Sequence, residues 1–138
     1  MPLTRLEHYL VLSDDIKKTR DFYCNVLGMT EGFRPELDFP GYWLYVGDTP
    51  CIHIGEWASY SVWTRKVGIP ISARAQATGP VDHIAFNGTG FDEMRDRLTK
   101  HGLTFSENSL DEIGMRQLFT RDPNGVPIEI NFRSATEN

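Results

Sequence analysis

One feature limits this chain more than any other: it repeats itself. Glu7-His8-Tyr9-Leu10-Val11 opens a polar turn and a helix-like stretch that closes at Gly28, 20 residues after the histidine. Asp82-His83-Ile84-Ala85-Phe86 does the same, and its stretch closes at Gly102, 19 residues after the histidine. Further on, GDTPCIHIGE (47–56) matches RDPNGVPIEIN (121–131), each a turn followed by a short strand. His53 then lies 45 residues past His8, and Glu129 lies 46 past His83. Four matched landmarks indicate duplication, although the period exceeds that of ordinary solenoid repeats. A fold for this chain has to be built from two similar halves.

Each half reads as a strand, a helix and then several strands. Ile16, Thr19, Tyr23 and Val26 are spaced for one helical face, as are Phe91, Met94, Leu98 and His101. Ser13 and Thr89 are the expected N-caps, and Gly28 and Gly102 suit the left-handed position after a helix. Strands are expected within TEGFRPELDF, YWLYVG and CIHIGE in the first half, and within TFSENS, MRQLFTRD and PIEINF in the second. Residues 57–80, WASYSVWTRKVGIPISARAQATGP, have no counterpart in the second half and are expected to form an ordered or lid-like connecting loop. The division expected is module 1 at 1–56, the loop at 57–80 and module 2 at 81–138, all within one domain.

Strand alternation then assigns faces. His8 shares a face with Leu10 and Leu12; His53 lies between Ile52 and Ile54, and Glu129 between Ile128 and Ile130. Each polar side chain therefore points away from aliphatic neighbours that fill a core. A carboxylate so placed needs a charged partner or a metal. His8, His53, His83 and Glu129 together make a donor set for one divalent ion of Ni, Co, Mn, Fe or Zn. Glu56, three residues beyond His53, falls on the other face. His101 sits where a histidine interacts with a helix C-terminus. By the same alternation Glu7 and Asp82 point away from the histidines beside them.

The stretch HYLVLSDDIKKTRDFYCNVLGM, with Phe22-Tyr23 and Leu27-Gly28-Met29, resembles the opening of the vicinal oxygen chelate superfamily. That group includes glyoxalase I, fosfomycin-resistance proteins, bleomycin-binding proteins, methylmalonyl-CoA epimerases and extradiol dioxygenases. VDHIAF and DPNGVPIEI look like its second half. The resemblance implies an α+β fold of two βαβββ modules whose mixed sheets curl around a metal. It implies ligands at His8, His53, His83 and Glu129, although glyoxalases and epimerases show Glu or Gln where His53 stands. It also implies pairing of two chains as a homodimer.

Four protein ligands leave a six-coordinate metal two open positions, which suits a substrate chelating through neighbouring oxygens and a Lewis-acid role. The expected chemistry is that of a lyase or isomerase, with Glu129 as the base. If His53 only borders the pocket, His8, His83 and Glu129 form the two-histidine-one-carboxylate triad of a ring-cleaving dioxygenase. A non-catalytic, drug-sequestering protein is the third possibility, against which the complete donor set argues. Phe39, Trp43, Tyr45 and Arg116 are the expected substrate-contacting residues, as apolar wall and anion clamp; Arg34, Arg65 and Arg74 are weaker candidates for the clamp. A net charge of −5 disfavours nucleic acid, and no apolar run reaches the roughly 18 residues that span a bilayer. With no signal-peptide pattern at MPLTRLEH and only Cys24 and Cys51, a cytoplasmic location is expected.

Overall fold

The computed structural model describes residues 2–74 and 77–134. The chain divides into two units, residues 1–74 and 75–138, and each is built on the same plan. In the first unit β1 (Tyr9–Ser13) leads into α1 (Ile16–Asp21), followed by β2 (Thr30–Gly32), β3 (Gly41–Val46), β4 (Thr49–Glu56) and α2 (Trp57–Val67). In the second, β5 (Ile84–Asn87) and α3 (Phe91–Lys100) precede β6 (Ser106–Leu110), β7 (Met115–Arg121) and β8 (Pro127–Arg133). The sheet orders are β1-β4-β3-β2 and β5-β8-β7-β6, identical once strands are matched. The first strand runs parallel to the last in each, and the remaining pairs are antiparallel.

The register confirms the duplication residue by residue. Leu10, two past His8, pairs with His53; Ala85, two past His83, pairs with Glu129. On the face opposite these polar residues the sheets are apolar. Val11, Leu44, Ile52 and Ile54 form the core of the first unit with Phe22, Tyr23 and Val26 of its helical segment. Ile84, Leu118, Ile128, Ile130 and Phe132 form that of the second with Phe91 and Leu98 of α3. Each buried aliphatic side chain of this size stabilises its unit by about 1.5–3 kcal/mol relative to exposure.

The first helix runs on from Asp21 into a π-turn over Phe22–Val26, where Leu27 N–H donates to Phe22 O at 3.2 Å. Gly28 (φ 85°) and Gly102 (φ 71°) end their helices in the left-handed conformation, as expected. The caps differ from expectation. Asp15, not Ser13, caps α1 by accepting from Lys18 N–H at 3.0 Å, while Ser13 Oγ accepts from Thr19 Oγ at 2.9 Å inside the core. At α3 the N-cap is Gly90 (φ 75°), not Thr89.

The segment expected as a connecting loop also needs correction. Its first half is α2, which ends at Gly68 (φ 76°) with that N–H on Thr64 O at 2.8 Å. Tyr60, Trp63 and Thr64 share one side of α2, and both rings pack on Phe39 at centroid distances of 5.0 and 5.2 Å. Arg74 pairs with Asp14 and lies over the Trp57 ring at 5.4 Å, so the segment through Arg74 belongs to the first unit. Ala75 and Gln76 lie outside the described residues. No helix among those described is long and apolar enough to cross a membrane.

Candidate metal and substrate site

In the first unit the polar face is organised around His53. The strand β4 lies between β1 and β3, so His53 is flanked by Leu10 on one side and Trp43 on the other. Its imidazole stacks on Trp43 at 4.0 Å (9° between planes) and on His8 at 3.7 Å (13°), making a three-ring stack. Burial pushes the His53 pKa down to about 4; the adjacent His8 adds to this, the Pro50 backbone and Glu7 oppose it, and the Arg34 charge lowers it further. A neutral imidazole keeps a lone pair available at neutral pH.

That stack limits what the two histidines do together. An imidazole nitrogen binds a metal about 2.0–2.1 Å away, along a lone pair in its own ring plane. Two planes within 13° of parallel and stacked at 3.7 Å do not share such a point. As placed, one of His8 and His53 can face a given ion in its plane, and the other has to turn out of the stack to join.

In the second unit His83 and Glu129 are brought together, with His83 Nε2 3.3 Å from Glu129 Oε1. The other ring nitrogen is occupied: His83 Nδ1 donates to Asp82 Oδ2 at 2.8 Å. His8 repeats the device, its Nδ1 donating to Glu7 Oε1 at 2.9 Å. Here strand alternation misleads. Residues 7 and 82 precede β1 and β5, so the rule that turns neighbours to opposite faces does not hold there, and both acids reach the histidines they were expected to avoid. With Nδ1 as donor, a neutral His83 presents a lone pair at Nε2 directly to a carboxylate oxygen. Two acceptors at 3.3 Å call for a cation between them, a proton or a metal ion. Two donors on one ion with bonds of about 2.1 Å stand roughly 3.0–3.4 Å apart, so this pair fits a shared metal. Among the described residues no three His, Cys, Asp or Glu side chains gather into a metal-holding group, so neither unit offers more than a pair.

A line of amides across the second sheet went unseen in the sequence. Asn108 Nδ2 donates to Gln117 Oε1 at 2.8 Å, and Gln117 Nε2 donates to Asn131 Oδ1 at 3.0 Å and toward Glu129 Oε2 at 3.4 Å. Asn131 Nδ2 donates to Glu129 Oε2 at 2.9 Å. Each amide orients the next, and the last two hold one carboxylate oxygen while the other faces His83. Gln117 is only 7% exposed, and nothing in MRQLFTRD, read as a strand, marks it as a site residue. The signal was its pairing with Asn131, which needs the register.

The expected substrate residues divide. Trp43 belongs to the His53 stack. Tyr45, two residues along β3 on the same face, is anchored by its hydroxyl donating to Phe33 O at 2.7 Å. Phe39 is 8% exposed, with its ring over Gly55, where a Cβ would stand 3.3 Å from it, so it is a wall of that face more than an open surface. Arg116 is not brought to the Glu129 face. It pairs with Phe132 on the helix side, its guanidinium 3.6 Å from the Phe91 ring centroid and 4.0 Å from Asp92. Glu56, also turned from the His53 face, accepts from Ser59 Oγ. His101 caps α3 at its C-terminus, as expected.

A duplicated βαβββ chain with a histidine before the first strand and a donor on the last strand of each half is a vicinal-oxygen-chelate fold. The sequence profile of the Glyoxalase/Bleomycin resistance protein/Dioxygenase superfamily matches residues 5–130, and the chain belongs to that superfamily. It is 32% identical over 132 residues to Glyoxylase I 4 of Arabidopsis thaliana, a match covering 93% of this chain and 70% of the relative. Among solved structures it resembles lactoylglutathione lyase from Agrobacterium tumefaciens, with a TM-score of 0.73 at 16% identity, covering 98% of both chains. A fosfomycin resistance protein from Listeria monocytogenes has a TM-score of 0.68 at 19% identity, again covering 98% of both chains. At these identities the structural likeness speaks for the fold alone.

Proposed function

We propose that this protein is a divalent-metal-dependent enzyme that moves a proton beside a carbonyl, as a lyase or isomerase, on a small substrate with two neighbouring oxygens. The observation that carries this reading is the His83–Glu129 pair, two acceptors 3.3 Å apart with the far nitrogen of the histidine already committed to Asp82. The expected ligand set adds His8, and His53 on leaving its stack. When bound, the metal (Ni, Co, Mn, Fe or Zn) supplies charge that polarises the substrate oxygens. The chain does the rest. Glu129 takes the proton from the carbon beside the carbonyl and returns it to the neighbouring carbon, while Asn131 and Gln117 orient its carboxylate. Trp43 and the Phe39 wall accept the apolar part of the substrate. The protein is expected to work as a homodimer in the cytoplasm.

The test is metal uptake followed by proton exchange. Chelator-treated protein titrated with Co(II), Ni(II) or Zn(II) should take up about one ion per site, and His83→Ala or Glu129→Gln should abolish uptake. With metal present, a panel of α-hydroxyketones in D₂O should gain deuterium beside the carbonyl. Absence of metal uptake by the intact chain would refute the proposal. A second reading draws on the near-parallel His8 and His53 rings. If one imidazole stays in the stack, three protein donors remain, and the metal has room for a catechol and dioxygen. Anaerobic loading with Fe(II) followed by a catechol panel would then give oxygen uptake, and no uptake would dismiss it.

A further inference from the structure

Arg34 lacks a counter-charge. Its Nη2 donates to Phe39 O at 2.7 Å, and its guanidinium carbon lies 5.2 Å from the Phe39 ring centroid. The Nε is buried with no acceptor, and no carboxylate among the described residues pairs with this side chain. Arg20, by contrast, is held by both Asp21 and Glu31 at 2.7 Å. A half-buried cation without an anion is costly to keep, and burial lowers the pKa of Arg34 accordingly.

Its position is informative. A Cβ on Gly41 would collide with the Ile54 carbonyl oxygen and stand 3.2 Å from Arg34 Nη2, and Gly41 pairs with Gly55 two residues along from the Trp43–His53 pair. The charge is felt at His53. The cation therefore lies against the Phe39 ring and beside Gly41, which shares the sheet face of Trp43 and His53. The corresponding positions in the second unit, Gln117 opposite Asn131, carry the amide line instead of two glycines. Gly55 leaves room for Phe39, and Gly41 for the Ile54 carbonyl with Arg34 Nη2 next to it.

We infer that Arg34 is an anion-recognition residue, and that the ligand of the His53 face joins a carboxylate or similarly compact anion to a flat apolar group. The anion meets Nη1, which has no partner among the described residues, and the apolar part meets Trp43 and Phe39. This deepens the proposed function by naming a substrate class, and it rests on that reading only in taking the His53 face as the substrate face.

Calorimetry with 2-naphthoate and its neutral analogue 2-naphthamide tests it on chelator-treated protein, so that the outcome is independent of metal uptake. The unsubstituted chain should bind naphthoate at least about tenfold more tightly than naphthamide, the strength of one charge-assisted hydrogen bond. Arg34→Gln should bring the ratio to about one, and Arg34→Lys should keep most of it. Should Arg34→Gln fail to fold, the Trp43 indole resonance of the unsubstituted protein decides, because naphthoate has to shift it. Equal affinity for both probes, binding of neither, a preference that survives Arg34→Gln, or an unmoved Trp43 resonance would each overturn the inference.

Discussion

A pH titration of stability reports on the His53 stack directly. The imidazole has a pKa of about 4 in the fold, against an ordinary value of 6.5, because burial and the adjacent His8 disfavour its charge. Below pH 6.5 the unfolded chain binds a proton that the folded chain refuses, so protons favour unfolding. The stabilisation is complete above pH 6.5 and is lost progressively as pH falls toward 4. At pH 5 the two pKa values give a loss of about 2 kcal/mol. Solvent reaches part of the ring, and screening reduces this to about 1 kcal/mol. Carboxylates titrate over the same range, so the measurement is a double difference. Urea unfolding of metal-free wild type and His53→Gln at pH 7.5 and 5.0 isolates the histidine, with wild type losing about 1 kcal/mol more than the variant. An NMR titration of the His53 ring protons supplies the pKa independently. Equal losses in the two proteins, or a ring that titrates near 6.5, would refute the stacked and buried placement of His53.

Three further outcomes are expected. Leu118→Ala, at a fully buried position in the second sheet, should destabilise the protein by about 2–5 kcal/mol in urea unfolding. Asn131→Leu should weaken Co(II) affinity by about 10–100-fold while leaving the circular dichroism spectrum intact, because it frees the Glu129 carboxylate from its orienting amide. Burial pushes the thiols of Cys24 and Cys51 up, so iodoacetamide at pH 7 should alkylate both more slowly than free cysteine.

What the sequence determined by itself was the duplicated plan. Histidine and donor recur at nearly equal separations, and period-two alternation places His53 and Glu129 opposite aliphatic neighbours. Both are local regularities, and the pairing of Leu10 with His53 and of Ala85 with Glu129 bears them out. Helix periodicity likewise located Thr19, Tyr23, Val26, Phe91 and Leu98 in the cores. In the connecting segment the absence of a counterpart in the second half, with its Gly and Pro residues, points to a loop, whereas Trp57–Val67 is helical, with Tyr60, Trp63 and Thr64 at helical spacing.

Only the tertiary structure decided which side chains meet. Alternation says that Arg116 and Gln117 face opposite ways, but the register of β7 against β8 decides which of them shares a face with Glu129. It turned Gln117 toward Asn131 and sent Arg116 to Phe91. The contacts of Glu7 and Asp82 with their histidines arise just before strands begin, where no periodicity applies. Arg34, in an irregular segment, meets the Phe39 carbonyl and ring and lies beside Gly41, neighbours that no periodicity in its own segment foretells. A sequence pattern records the direction of a side chain relative to its own backbone; the neighbour it finds depends on how separate strands are set against one another.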